Sequence, residues 1–210
     1  MTPIITDIHL EKLLDKMKLQ KSSGVYIKVK PDLDAKLYEC IYNVREKINI
    51  DGGKEILGWE IWKTDILIEA QFHSVWQSDN GILVDITPRE IEVKVENILF
   101  FPDKKLVYDG SQKDNIRLNI TENRLVDDFL QLAETSFRIQ NKRAKKYSNE
   151  RILNSYESEL YRTIEIIKVG IYKMIKQGLN RNSDCFCGTN LKYKHCHGKN
   201  LNKVLKKICK

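Results

Sequence analysis

The sequence has no apolar run that approaches the length needed to cross a bilayer, which excludes a membrane-spanning helix. It has no internal repeat and no low-complexity segment. The first twenty residues place acids early and apolar residues at helical spacing, without the basic-then-apolar order of a secretory signal. With 41% hydrophobic and 31% charged residues in 210, wholesale disorder is also excluded. We therefore expect a folded cytoplasmic protein of one ordinary domain plus an appendage, or of two small domains.

Cysteine is scarce, and its placement is uneven. There are five cysteines, and three of them (Cys185, Cys187 and Cys196) lie close together near the end of the chain. In a reducing compartment, clustered cysteines are more often metal ligands than disulfides. The pattern therefore indicates a metal site instead of a disulfide framework.

Acidic residues are absent from the last part of the chain. From Cys185 to Lys210 there are seven lysines and no Asp or Glu, and the remaining 29 basic residues equal the 29 acidic ones. All the excess positive charge therefore lies on this tail. Such a tail favours an acidic protein surface, a ribosome, nucleic acid or anionic lipid as partner, or it serves only to keep the chain soluble.

The apolar patterning predicts an α+β fold: an antiparallel sheet with a packed helix, followed by a helical hairpin and a small C-terminal zinc module. We predict an α+β core over 1–120, the hairpin over 121–179 and the zinc module with its basic tail over 180–210. Within the core, we predict helices over 1–22 and from Asp32 to about Ile48. The predicted strands cover 56–62, 65–76, 82–87, 91–95 and 97–101. In the hairpin, helices are predicted from about Thr121 and from about Ser148 to Gln177.

The tail sequence carries a set of four metal ligands. Two thiols one residue apart, then eight residues, then a third thiol beside a histidine supply a closed tetrahedral site for Zn²⁺. Gly188 lets the chain turn so that backbone amides point at the sulfur atoms. Because the module is too short to have a core, metal binding should supply most of its folding free energy. Cys209 is predicted not to be a ligand.

This segment resembles the SEC-C motif, which occurs at the C-terminus of the SecA translocase and in many bacterial proteins of varied function. The matching residues are Arg181, Asn182, Cys185, Cys187, Gly188, Lys192, Tyr193, Lys194, Cys196 and His197. The chain departs from the motif with Phe186 in place of the usual proline. The resemblance implies that His197, and not His195, is the fourth ligand.

The core contains a possible catalytic set in Cys40, His73 and Asp85. A five-residue loop between the two strands would place His73 directly opposite Asp85, and a three-residue loop would make them diagonal neighbours on one face. A two-residue turn at Asn80-Gly81 would place them on opposite faces. The sequence leaves these three registers open.

The order of Cys on a helix, His on a strand and Asp on the next strand resembles papain-like and transglutaminase-like enzymes. The resemblance implies that His73 deprotonates the Cys40 thiol and that Asp85 orients the imidazole. No motif residue indicates an oxyanion hole, but Gln71, two residues before His73 on the same strand face, is a candidate donor to the oxyanion. Residues 40–103 also resemble an uncharacterised bacterial domain found beside SEC-C motifs. One predicted feature differs from these enzymes. A helix that starts at Asp32 places Cys40 inside the helix, away from the N-terminus, where the helix dipole favours a thiolate.

Two other interpretations stay open for these core residues. Cys40 can be a buried apolar residue beside a His–Asp pair that only satisfies two polar groups, or Glu69, His73 and Asp85 can form a second metal site. The sequence thus supports two functions. One is an adaptor whose zinc module docks an acidic partner, and the other is a cysteine-dependent hydrolase or acyl transferase.

Overall fold

The structure is a computed structural model, and it describes residues 1–90, 92–93, 95–146, 152–199, 201 and 205. Among these residues, no helix is both long enough and apolar enough to span a membrane. The chain forms two compact units, one of residues 1–108 with 115–118 and the other of residues 109–114 with 119–210.

Among its described residues, the first unit has two α-helices and six strands. The helices are α1 (Ile8–Met17) and α2 (Cys40–Asp51). The strands are β1 (Val25–Val29), β2 (Lys54–Lys63), β3 (Leu67–Gln77), β4 (Leu83–Asp85), β5 (Asn97–Pro102) and β6 (Ile116–Asn119). The α+β class predicted from the sequence is confirmed. The predicted strand at 91–95 is wrong where it can be examined, because residues 92, 93 and 95 are not in a strand.

The sheet closes on itself. Its order is β2-β5-β1-β4-β3-β6, and β2 pairs with β3 as well as with β5, so five strands form a barrel-like ring. The prediction of an antiparallel sheet holds for every pair with a described register except β1 and β4, which are parallel. The sequence patterning missed β1, and this strand lies between β5 and β4 in the ring. A cluster of Ile27, Val75, Ile98 and Phe100 is buried there.

Helix α2 begins at Cys40, and the prediction that it begins at Asp32 is wrong. The backbone N–H groups of Lys30 and Asp32 donate to the carbonyls of Asp85 and Ile86, so this stretch continues along β4 instead of coiling. Tyr38 then adopts a left-handed φ of 63°, a conformation that a helix does not continue through. The consequence is that Cys40 is the first residue of its helix.

The turn between β3 and β4 has the register of a three-residue loop. Trp76 pairs with Val84 and Gln77 with Leu83, and the Ser78 N–H donates to the Ile82 carbonyl at 2.9 Å. Gly81 has a φ of 82°, the left-handed position that a three-residue hairpin loop requires. This register makes His73 and Asp85 diagonal neighbours on one face.

The second unit contains two long helices, α3 (Arg124–Asn141) and α4 (Ser155–Lys176). Asn123 caps α3 by accepting from the Leu125 N–H. Asn154 and Glu157 form a capping box at the start of α4, so this helix begins seven residues after the predicted Ser148. Residues 147–151 lie outside the described residues. The two helices pack on each other as a hairpin.

Candidate active site and metal centre

Cys40 lies where a helix favours negative charge. As the first residue of α2, it is next to the N–H groups that have no partner within the helix, and the preceding residue, Glu39, makes no side-chain cap. The positive end of the helix dipole therefore faces this region. Cys40 is partly buried and lines the same cavity as His73, close enough to affect the pKa of that residue.

His73 connects Cys40 to Asp85. Its Nε2 lies 3.1 Å from Asp85 Oδ1, and both side chains are buried. Asp85 is fixed in turn by the Thr87 N–H, which donates to Oδ1 at 3.1 Å, and by Arg89 Nη2, 2.5 Å from Oδ2. The structure therefore brings together the three residues that the sequence picked out.

Gly58 provides room on the strand opposite His73. It pairs with His73 across β2 and β3, and an added Cβ would lie 2.4 Å from both the Phe100 ring and the Phe101 carbonyl oxygen. No larger residue fits there without displacing backbone. The histidine ring makes an edge-on contact with Phe100, with centroids 6.5 Å apart.

The charges around the imidazole favour its protonated form. Burial lowers the pKa of His73, but the carboxylate of Asp85 and the Cys40 sulfur outweigh that effect and raise the pKa well above its ordinary value. Burial likewise raises the pKa of Asp85, and the charge of His73 more than offsets this, so that the pKa of Asp85 is lowered. Together these shifts favour a protonated His73 beside an ionised Asp85.

Two further charged residues belong to this site, and sequence reasoning missed both. Glu60 is 2% exposed, with Oε2 3.9 Å from His73 Nδ1. Arg89 Nη2 lies 2.7 Å from Glu60 Oε1 while it also contacts Asp85. Burial raises the pKa of Glu60, although His73 and Arg89 oppose this. A glutamate between apolar residues in a strand was the available signal.

A cavity of about 420 Å³ opens beside these residues. Its lining includes Cys40, His73, Glu60 and Gln71. Gln71 lies two residues before His73 on β3, so the two side chains share a face, and it pairs with Glu60 of β2. The side-chain amide of Gln71 donates to Glu69 Oε1 at 3.1 Å. Its assignment as an oxyanion donor stays a prediction.

The metal site proposed from Glu69, His73 and Asp85 is not formed. Among the described residues, a single group brings at least three metal-ligating side chains together, and that group lies in the tail. Glu69, the residue that such a site would share with His73 and Asp85, instead binds Arg117 Nε at 3.2 Å and Asn115 Nδ2 at 3.1 Å.

That group consists of Cys185, Cys187, Cys196 and His197, whose ligand atoms all lie within 4.8 Å of one another. Cys185 Sγ is 3.2 Å from His197 Nδ1, and Cys187 Sγ is 3.5 Å from Cys196 Sγ. Tetrahedral Zn²⁺ with bonds of about 2.3 Å to sulfur and 2.0 Å to nitrogen would separate its ligands by roughly 3.5–3.8 Å. The donor set and its spacing therefore fit such an ion. The structure places His197, and not His195, in this cluster, and Cys209 lies outside the described residues.

A neighbouring hydroxyl favours the thiolate form of Cys187. The Thr189 hydroxyl lies 3.3 Å from Cys187 Sγ, and this contact lowers the pKa of the Cys187 thiol to about 6. Gly188 has a φ of 75°, which allows the tight turn after Cys187. Thiolate, not thiol, is the form that binds metal.

The module packs on the helical hairpin. The Phe186 ring fills a notch at Gly170 of α4, where an added Cβ would lie 2.5 Å from it, and it also packs on His197 with ring centroids 4.6 Å apart. Arg181 bridges the two parts, because it pairs with Asp128 of α3 at 2.8 Å and donates to the Gly198 carbonyl at 3.0 Å. Phe186, which stands where the motif usually has proline, thus connects His197 to the helical hairpin.

Comparison with known families agrees with this geometry. Residues 181–199 match the family described as the SEC-C motif. No curated protein and no solved structure matches the chain.

Proposed function

We propose that this protein is a cysteine-dependent hydrolase or acyl transferase, with a C-terminal module built on a structural zinc ion. The observation that carries the proposal is the buried His73–Asp85 hydrogen bond beside a cavity that both His73 and Cys40 line. Papain-like and transglutaminase-like enzymes use the same three residue types, although the closed ring of strands is a feature of this chain. The proposal rests on the site, not on a shared fold.

In the proposed reaction, the Cys40 thiolate attacks a substrate carbonyl carbon, and the carbon–sulfur bond forms as the bond to the leaving group breaks. The His73 imidazolium gives its proton to that leaving group and then accepts one from water or from an acceptor nucleophile. Attack by this second nucleophile breaks the thioester and restores the thiolate. Asp85 keeps the ring oriented, and the first-turn amides of α2 or Gln71 stabilise the oxyanion.

Alkylation of Cys40 tests the proposal without knowledge of the substrate. An ordinary thiol with a pKa near 8.5 is about 1% ionised at pH 6.5, whereas a thiolate paired with an imidazolium stays reactive. We expect iodoacetamide to label Cys40 at pH 6.5 at least about tenfold faster than free cysteine. His73→Ala should remove this advantage, as measured by mass spectrometry of the Cys40 peptide.

His9→Ala is the matched control, because His9 lies on α1 and does not line the cavity. It should leave the labelling rate unchanged. Labelling of Cys40 no faster than free cysteine, or a His73→Ala variant that labels as fast as the parent chain, would refute the proposed enzyme.

A second candidate function is docking through the metal module. Its support is the exposure of Lys192, Lys194 and Lys199, with Leu191 half exposed beside them. The other lysines of the tail lie outside the described residues. Lysines on a surface attract an acidic protein, a ribosome or nucleic acid through screened charge.

If the module docks in this way, we expect the affinity of the protein for an RNA duplex or an acidic peptide to fall steeply as the salt concentration rises. For RNA, a Lys192→Ala, Lys194→Ala double variant should lower the slope of log K against log salt by about two. Fluorescence titration at several salt concentrations measures it. A Lys104→Ala, Lys105→Ala variant makes the same change of charge on exposed residues of the first unit. Affinity that is indifferent to salt would contradict docking by charge.

A further inference from the structure

The three cysteine ligands of the metal module differ in how far solvent reaches them. Cys185 is 6% exposed, and its backbone N–H donates to the Leu191 carbonyl at 2.8 Å, so its side chain is covered and its backbone is held. Cys187 is exposed, and Cys196 is half-buried. An oxidant in solution therefore reaches the Cys187 sulfur before that of Cys185.

The exposed thiol has a second thiol within reach. Cys187 Sγ lies 3.5 Å from Cys196 Sγ, and a disulfide bond of about 2.05 Å needs the two atoms to approach by only about 1.5 Å. Gly188, with its φ of 75°, follows Cys187 directly, and glycine gives the backbone at this turn the freedom to adjust. The pair of Cys187 and Cys196 is therefore placed to form a disulfide once the first thiol is oxidised.

A disulfide between Cys185 and Cys187 is the less favourable alternative. Only one residue separates these two cysteines, and the Cys185 carbonyl already accepts from the Gly188 N–H at 3.2 Å in the turn that joins them. The residue before Cys185, Asp184, pairs with Lys192 in a β-bridge. Because Cys185 is tied on both sides, a bond from its sulfur to Cys187 would have to distort this turn, and a distorted disulfide is strained.

We propose that Cys187 and Cys196 form an oxidation site, where a hydroperoxide joins them in a disulfide and so abolishes zinc binding. The Cys187 thiolate attacks a peroxide oxygen, the sulfur–oxygen bond forms as the oxygen–oxygen bond breaks, and a sulfenic acid and hydroxide result. The Cys196 thiolate then attacks the Cys187 sulfur, which releases a second hydroxide as the disulfide forms. The two thiolates lose two electrons, which the peroxide gains, and both hydroxides take protons from solvent.

Oxidation at this pair leaves Cys185 and His197 as the remaining ligands, which are too few to hold Zn²⁺. The effect extends to the helical hairpin, because Phe186 lies between the two ligands of the first pair and packs on both His197 and Gly170 of α4. The oxidised module should therefore loosen from α4. A thiol reductant breaks the disulfide again, so the site acts as a reversible switch. This inference does not depend on the chemistry of Cys40.

The test treats the full-length, zinc-loaded protein with about one equivalent of hydrogen peroxide. A zinc-binding dye follows the release of metal, N-ethylmaleimide then blocks the remaining thiols, and mass spectrometry of an unreduced tryptic digest maps the disulfide. Trypsin cleaves after Lys192 and Lys194, so a bond to Cys196 links two peptides, whereas a bond between Cys185 and Cys187 stays within one.

We expect zinc release to rise in proportion to the linked peptides, with N-ethylmaleimide located on Cys185 by fragmentation. Added thiol reductant and Zn²⁺ should restore the metal content. Zinc release without a disulfide, or a disulfide that includes Cys185, overturns the proposal. Zinc that stays bound while Cys40 is oxidised overturns it as well.

Cys196→His is the matched variant, because histidine is a ligand that Zn²⁺ accepts but cannot form the disulfide. With peroxide, this variant should release zinc at least about tenfold more slowly than the parent chain. Release at the parent rate contradicts the proposal. If Cys196→His holds no zinc, the disulfide map and the zinc release of the parent chain decide.

Discussion

Replacing Cys185 with serine is expected to abolish metal binding. The parent chain should contain one zinc ion, and the variant none, because three ligands with a weak hydroxyl in place of a thiolate do not retain Zn²⁺ in a module without a core. Cys196→Ser should behave in the same way. Elemental analysis of gel-filtered protein measures the metal. Cys40→Ser, the same substitution outside the cluster, should keep the full zinc content.

Loss of the metal should also destabilise the helical hairpin. The packing of Phe186 on both His197 and Gly170 joins the metal site to α4, and Arg181 joins the module to α3. Releasing a half-buried aromatic ring costs about 1–2 kcal/mol, so amide hydrogens of α3 and α4 should exchange faster in Cys185→Ser. Stoichiometric zinc in both serine variants, or unchanged exchange after verified loss of metal, would contradict these expectations.

Asp85→Asn is expected to lower both the stability of the first unit and the pKa of His73. The variant leaves a buried imidazolium without its carboxylate partner, and loss of one member of a buried pair costs about 3–5 kcal/mol. Urea unfolding measures the free energy, and NMR titration of the ring follows the pKa. Asp79→Asn, in the exposed β3–β4 turn, provides the control.

The pH dependence of this effect has a definite sign. Since the pKa of His73 is raised in the fold, its contribution is fully present below its ordinary value of 6.5 and is lost as the pH rises through the raised value. Since the pKa of Asp85 is lowered, its contribution is present above its ordinary value of 3.8 and is lost as the pH falls through the lowered one. The difference between parent and Asp85→Asn should therefore be largest between about pH 4 and 6.5. A difference that grows from pH 6.5 to 9 would contradict the assignment.

The metal ligands could be identified from the sequence because their chemistry is local. Four ligands within thirteen residues leave few ways to surround an ion, and the surrounding motif residues select His197 over its neighbour His195. The structure adds what spacing cannot contain, namely the contact of Phe186 with Gly170, sixteen residues earlier along the chain.

The sequence indicated Cys40, His73 and Asp85 as members of the core site but not the geometry that relates them. The relation of His73 to Asp85 depends on one turn, where the sequence allows loops of two, three or five residues, and strand pairing elsewhere in the ring selects among them. The start of α2 was mispredicted because helical periodicity near Asp32 gives no sign that the backbone continues along β4. Glu60 and Arg89 are far apart in sequence, so nothing local indicates that they meet.

The notch at Gly170 constrains how this C-terminal module can be exchanged between proteins. Suppose that the module is moved to a chain whose helix carries a side chain at the position of Gly170. The ring of Phe186, which stands between Cys185 and Cys187, would then have no place to pack. Conversely, a module with proline in place of Phe186 would leave the notch at Gly170 of α4 open to water. Glycine at 170 and phenylalanine at 186 therefore form a matched pair, and a graft that carries only one of them should assemble a metal site that lacks this contact with its host.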